Sequence, residues 1–333
     1  MGARQPREDM NPRIVQLEDI AAVIEPRGVI DAVRNGLIAH ARGLVQSPMP
    51  GHLDFSDPRG DCHIKFGHLR GDPFYVVKIA SGGYENERLG LPVNDGVVIV
   101  LSAVTGQIAT ILLEQGWLTA WRTAAAGALA AEALAPRDTE VIGVFGSGIQ
   151  ARLQVEWLRD VVACRRVVAW ARRPQKALEL CRQLQLSGFD AEAVAAPREV
   201  VRRARLVVMA TAATTALFDA SDLQPGTHVT ALGADSPGKQ ELDPACFTRA
   251  AYIATDDHRQ CLTLGDFGVA VRAGAVNADA DVSLGSLLAG DISYRRQRDD
   301  ITIADLTGLA ARDIAIASWV AERLAAGTVR PST

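Results

Sequence analysis

The stretch Glu140-Val-Ile-Gly-Val-Phe-Gly146-Ser-Gly148-Ile-Gln-Ala151 runs from a short apolar segment through a G-x-G-x-x-A turn into a helical pattern. A glycine pattern by itself is weak; a strand before it and a helix after it supply the context of a dinucleotide-binding turn. Gly146 permits the tight turn, and Gly148 lets the backbone approach a pyrophosphate at the helix N-terminus. Ala151 is small enough for close helix–strand packing. A tight turn that merely needs glycine is the plainer alternative. The next strand is expected to end near Ala171, where an NAD-preferring site places Asp or Glu against the ribose 2′-hydroxyl. Arg172-Arg173 stands there instead, and neither Asp160, ahead of that strand, nor Glu179, inside the following helix, can substitute. A guanidinium pair can grip a 2′-phosphate through charge-assisted hydrogen bonds. NADP(H) is therefore favoured and NAD(H) possible, the alternative being an ordinary solvated loop.

The elements around this turn divide the chain. Arg27–Arg42 carries Val29, Ile30, Val33, Leu37 and Ile38 as a helical stripe. From Gly51 to Glu114 the texture is β-rich, with strands expected at Tyr75–Ala80, Val97–Ser102 and Ile108–Leu113 in a mostly antiparallel sheet. An Ala-rich helix follows at Leu118–Ala135. Strands at Glu140–Phe145, Arg166–Ala171, Arg205–Ala210, His228–Leu232 and Ala251–Ala254 then alternate with helices at Ile149–Val162, Pro174–Leu186 and Pro197–Ala204. That alternation predicts a parallel sheet with helices on both faces. A last helix, Leu309–Leu324, lies beyond the final strand signal and is expected to return to the first domain. Residues up to about 16 read as a polar, disordered lead-in.

Composition excludes several classes. The 333 residues are 48% hydrophobic and 22% charged, with a net charge of −4, as in soluble globular proteins. No Lys/Arg block marks a nucleic-acid face, and no apolar run of about 18 residues marks a membrane span. The start, Met-Gly-Ala-Arg-Gln-Pro, lacks the apolar core of a signal peptide, and Pro6 occupies the position where myristoylation needs Ser or Thr. The expectation is a cytoplasmic protein with no nucleic-acid or membrane partner. Five widely spread cysteines without a C-x-x-C pair indicate neither a disulfide framework nor a metal site.

Five blocks in order resemble the ornithine cyclodeaminase/mu-crystallin family over nearly the whole chain. They are Val77-Lys78-Ile-Ala-Ser-Gly-Gly-Tyr-Glu-Asn86, Leu118-Thr-Ala-Trp-Arg122-Thr123-Ala-Ala-Ala, the glycine turn, Leu232-Gly233-Ala234-Asp235-Ser-Pro-Gly-Lys-Gln-Glu-Leu-Asp243 and Asp305-Leu-Thr-Gly308-Leu. The resemblance implies an α/β fold: a Rossmann-type doubly wound parallel sheet at 127–307, inserted into a discontinuous α+β substrate-binding and dimerisation domain at 1–126 and 308–333. It also implies a homodimer. Lys78 and Arg122 would hold a substrate α-carboxylate, and Asp235, just beyond a strand, would move the proton of the substrate nitrogen. Thr123, Gln150, Thr211, Gly233 and Gly308 would join Gly146, Gly148, Ala151, Arg172 and Arg173 around the cofactor.

Two positions depart from the family. Ornithine-processing members place an acid ahead of the Lys78 block, where an ungapped alignment puts Lys65. An early arginine that assists the carboxylate has only His52 nearby to replace it. A lysine at the distal end repels an ammonium and attracts an acidic side chain. The favoured reading is an NAD(P)H-dependent reductase of an α-imino acid, with an acidic one such as iminosuccinate in view. The alternatives are a redox-neutral cyclodeaminase that releases ammonia, and a non-enzymatic NADPH-binding protein.

Overall fold

The computed structural model describes residues 12–326. The chain forms two compact units, one built on Leu44–Thr119 with the segments through Gly28 and from Ala310 onward, the other on Val29–Gly43 and Ala120–Leu309. Val29–Gly43 thus groups with the later unit, and the first division falls inside the Ala-rich helix Trp117–Leu134.

The first unit holds a seven-stranded sheet of β1 (Arg13–Val15), β2 (Val45–Gln46), β3 (Gly51–Ser56), β4 (Arg59–Leu69), β5 (Phe74–Gly83), β6 (Asn94–Ser102) and β7 (Ile108–Leu112). Its order is β1-β7-β6-β5-β4-β2, with β3 also on β4. All pairs are antiparallel except β1 with β7. The expected disordered lead-in is corrected here: Arg13–Val15 is a strand, because Val15 pairs with Leu112 and is buried. The rest of that lead-in, residues 1–11, lies outside the described residues.

Strand alternation gives the sheet two unlike faces. The row Val15, Leu112, Val98, Lys78 and Lys65 crosses five strands on one face, and its first four members are buried. The helix Ala310–Ala326 covers that face, bringing Asp313 and Ile314 against it. The row Ile14, Ile111, Ile99, Val77 and Phe66 runs across the other face, where Ile14 is 60% and Phe66 46% exposed.

The second unit is an all-parallel sheet of β8 (Ile142–Phe145), β9 (Arg166–Trp170), β10 (Asp190–Ala193), β11 (Leu206–Met209), β12 (His228–Ala231), β13 (Tyr252–Thr255), β14 (Asp281–Ser283) and β15 (Thr302–Asp305). The order is β10-β9-β8-β11-β12-β15-β13-β14. Near-continuous apolar strands such as Ile142–Phe145 and Leu206–Met209 are buried throughout, as a sheet covered on both faces requires. The chain winds outward from β8 through β9 to β10, then crosses to β11 on the other side. That reversal makes β8/β11 the topological switch point, the crevice where such sheets bind ligands. This is the Rossmann-type doubly wound architecture expected from the alternation.

Candidate active site

The glycine turn leaves β8 at the switch point. Gly146 has φ +109°, and a Cβ there would lie 2.3 Å from the Ala210 carbonyl oxygen, so only glycine fits. Gly148 is different. It precedes the helix Ile149–Trp157 in extended conformation, makes no side-chain cap, and a Cβ on it would meet nothing within 4 Å. The protein's own packing does not ask for glycine there, whereas close approach of a phosphate to the helix N-terminus does. Ala151 is fully buried against the sheet. The turn therefore fits a dinucleotide pyrophosphate. Arg172 and Arg173 are exposed just past β9, with Arg173 at the position immediately before the helix Pro174–Leu186.

Arg122 and Thr123 lie on the helix Trp117–Leu134, with Arg122 only 5% exposed. Gln150 turns toward that helix and donates to the Ala120 carbonyl at 3.1 Å, while Gln154 donates to that of Thr123 at 2.9 Å. These bonds fix the glycine-turn helix against the residues that follow Ala120.

The neighbouring strand ends carry Thr211, Gly233 and Asp235. Thr211 and Gly233 each stand two residues beyond the last pair of the β11–β12 ladder, Met209 with Ala231. A Cβ on Gly233 would lie 2.1 Å from the Thr211 carbonyl oxygen, so these backbones touch. Asp235 follows with its side chain 43% exposed, 2.7 Å from Lys239 Nζ and accepting from Ser236 at 3.1 Å. It is held, yet open to a substrate. Gly308 donates its N–H to the buried Asp256 at 2.9 Å.

Below these turns lie acids the sequence reading did not single out. Glu241, Asp266 and Asp305 are all buried in the parallel-sheet unit. Burial, then the charge of Asp266, pushes the Glu241 carboxyl up to about 8. Burial pushes Asp266 up to about 6 and raises Asp305 strongly. No group of histidine, cysteine or acidic side chains suited to a metal ion occurs among the described residues.

In the antiparallel unit, Lys78 is 2% exposed, and its Nζ lies 2.9 Å from Asp313 Oδ1 on the covering helix. A buried ammonium requires such a counter-charge. Lys65 is directly opposite Lys78 across the β4–β5 ladder, on the same face. His52 pairs with His63 in the adjoining row, their Nδ1 atoms 3.4 Å apart, and its Nε2 is 2.9 Å from Asp54. The expected site residues thus fall into two groups: Lys65, Lys78 and His52 in this unit, the remainder in the parallel-sheet unit.

Fold and glycine turn together define a Rossmann-type α/β protein that carries an antiparallel second unit. The sequence model of the ornithine cyclodeaminase/mu-crystallin family matches residues 10–328, and the chain belongs to that family. It is 41% identical over 281 residues to an uncharacterised cyclodeaminase of Sinorhizobium fredii, covering 84% of this chain and 85% of that one. The structure of an archaeal alanine dehydrogenase dimer with bound NAD superposes with a TM-score of 0.87 at 31% identity, over 96% of this chain and 98% of that one. The iminosuccinate reductase of Paracoccus denitrificans, in complex with NAD+, gives 0.86 at 27% identity, again over 96% and 98%. No helix among the described residues is long and apolar enough to cross a membrane.

Proposed function

We propose that this protein is an NAD(P)H-dependent reductase of an α-imino acid, and that its substrate carries a second carboxylate, as iminosuccinate does. One observation carries the reading: two lysines stand face to face on one sheet face, Lys65 opposite Lys78. Directly opposed residues place their Cβ atoms about 5 Å apart, a spacing suited to a small dicarboxylate. Lys78 and Arg122 hold the α-carboxylate, and Asp313 keeps the Lys78 ammonium in place. Lys65 takes the distal carboxylate, with His52 completing the basic edge one row away. Asp235 delivers a proton to the substrate nitrogen as that nitrogen becomes an amine.

The nicotinamide, when bound, supplies the hydride that adds to the imine carbon. Gly146, Gly148 and Ala151 hold its dinucleotide at the glycine turn, with Thr123, Gln150, Thr211, Gly233 and Gly308 around it. Arg172 and Arg173 would grip a 2′-phosphate, which supports NADPH. The archaeal alanine dehydrogenase and the iminosuccinate reductase bind NAD. The cyclodeaminase reading is disfavoured by Lys65, which repels the side-chain ammonium of a diamino acid. A panel of 2-oxo acids with ammonia or methylamine, cyclic imino acids and ornithine tests the proposal. Oxidation of NAD(P)H fastest with the dicarboxylic 2-oxo acid and ammonia supports it; ornithine consumption without oxidation contradicts it.

We further infer a homodimer formed through the apolar sheet row from Ile14 to Phe66, whose two ends are exposed and whose middle residues are half-buried, since apolar surface left in a row marks an interface. The archaeal alanine dehydrogenase is itself a dimer. A monomer mass in light scattering would contradict this.

A further inference from the structure

Glu241 gathers three hydrogen-bond donors on one fully buried carboxylate. Oε1 accepts the Thr211 backbone N–H and the Thr211 hydroxyl, both at 2.7 Å, and Oε2 accepts the Gly233 N–H at 2.8 Å. Both backbone groups lie where the β11–β12 ladder has stopped. A buried N–H without a partner is costly, so the carboxylate takes over from the ladder at its end. Glu241 lies eight residues beyond Gly233 in the loop between β12 and the helix Pro244–Thr248, and the Gly233 bond closes the intervening segment, which holds Asp235. The far end of the loop is tied down as well: Gln240 donates to the Ala213 carbonyl at 2.8 Å, and Asp266 Oδ1 accepts the N–H groups of Glu241 and Leu242 at 2.9 and 3.0 Å.

We propose that Glu241 is a positioning residue for the reaction, holding the strand-end turns of Thr211 and Gly233 so that Asp235 meets the substrate nitrogen. The inference rests on the proton-transfer role given to Asp235 above. The two carboxyl oxygens of Glu241 face all three donors, one oxygen toward each backbone N–H. Glutamine, of equal size, must aim its amide N–H₂ at one of the backbone N–H groups, and that strand end is pushed away. A misplacement of about 1 Å at a reacting group costs roughly 100-fold in rate.

The test is a double-mutant cycle in the full-length protein with Glu241→Gln and Asp235→Asn, reading kcat, the Kd for NAD(P)H and the melting temperature. Glu241→Gln is expected to lower kcat by about 10- to 100-fold, more than it raises the cofactor Kd. In the Asp235→Asn background it should lower kcat little further, because residues that act as a unit are non-additive. Equal fold losses in both backgrounds would overturn the proposal while leaving the reductase reading intact. A wild-type protein that oxidises no NAD(P)H with any imino acid overturns both, whereas an Asp235→Asn protein that keeps its kcat overturns this proposal and the proton-transfer role of Asp235 while leaving the reductase reading intact. Should Glu241→Gln fail to fold, Thr211→Val removes one donor and leaves the acid; the same non-additivity with Asp235→Asn is then required, and additivity overturns the proposal.

Discussion

Lys65 stands directly across from Lys78 in the β4–β5 ladder, and both project from the sheet face that the helix Ala310–Ala326 covers. Asp313 answers the charge of Lys78, and in the proposed complex the distal carboxylate of the substrate lies with Lys65. Lys65→Glu is expected to lower kcat/KM for a dicarboxylic imino acid by at least about tenfold, since facing like charges cost several kcal/mol. A neutral imino acid should be affected far less. Measuring kcat/KM for acidic, neutral and basic substrates in both proteins checks this, and equal effects on all three would remove Lys65 from the site.

The two glycines of the turn should separate structure from binding. Gly146→Ala forces a Cβ to 2.3 Å from the Ala210 carbonyl oxygen at φ +109°, so it lowers the melting temperature with or without cofactor. Gly148→Ala meets nothing within 4 Å and should melt like the wild type when cofactor is absent. Its NAD(P)H Kd rises, because the methyl group occupies the space the pyrophosphate uses. Thermal melts and cofactor titrations on both variants decide the matter; unchanged cofactor affinity in Gly148→Ala would remove the phosphate from that turn.

The parallel-sheet half was largely legible in the sequence because its strands are short apolar runs separated by periodic helices. Pro174–Leu186 was expected and is a helix with those bounds. The strand β10, Asp-Ala-Glu-Ala, lacks the apolar run that marks β8 and β11, and it was missed. The strand β4 was also missed, for a different reason. On its covered face it carries His63, Lys65 and Gly67, and its apolar Ile64 and Phe66 point the other way. Alternation read as apolar-in therefore fails there, at the strand that holds Lys65. Glu241, Asp266 and Asp305 were invisible as site residues because acids are ordinarily exposed. Only the folded turns show that backbone N–H groups converge on Glu241 and Asp266.

Cofactor preference should follow the arginine pair. Replacing Arg172 and Arg173 together by Ala removes charged hydrogen bonds worth about 1.5–3 kcal/mol, and KM for NADPH should rise much more than KM for NADH. Initial rates with each cofactor provide the ratio. An unchanged ratio would return the pair to an ordinary exposed loop.

Stability should fall as pH rises above neutrality. Burial, reinforced by Asp266, lifts Glu241 to about 8, and burial lifts Asp305. The folded chain then holds protons that the unfolded chain has already lost, so stability declines with rising pH through that window. His228, driven down to about 3 by burial and then by Arg296, acts in the opposite sense, but only below its ordinary value of 6.5. Between roughly pH 6.5 and 8.5 the acids dominate, given the raised carboxyls. Asp266→Asn removes the negative neighbour of Glu241 and should flatten the melting temperature against pH there. A slope as steep as that of the wild type would show that these acids are not coupled.

The most direct test of the reductase reading follows the hydride itself. NADPH or NADH deuterated at the transferable C4 position is supplied with a dicarboxylic 2-oxo acid and ammonia, and both cofactor and product are analysed. The account predicts one equivalent of cofactor oxidised per amino acid formed, with deuterium on the product Cα. Ornithine converted with release of ammonia, no net cofactor oxidation and no labelled dicarboxylic amino acid would contradict it.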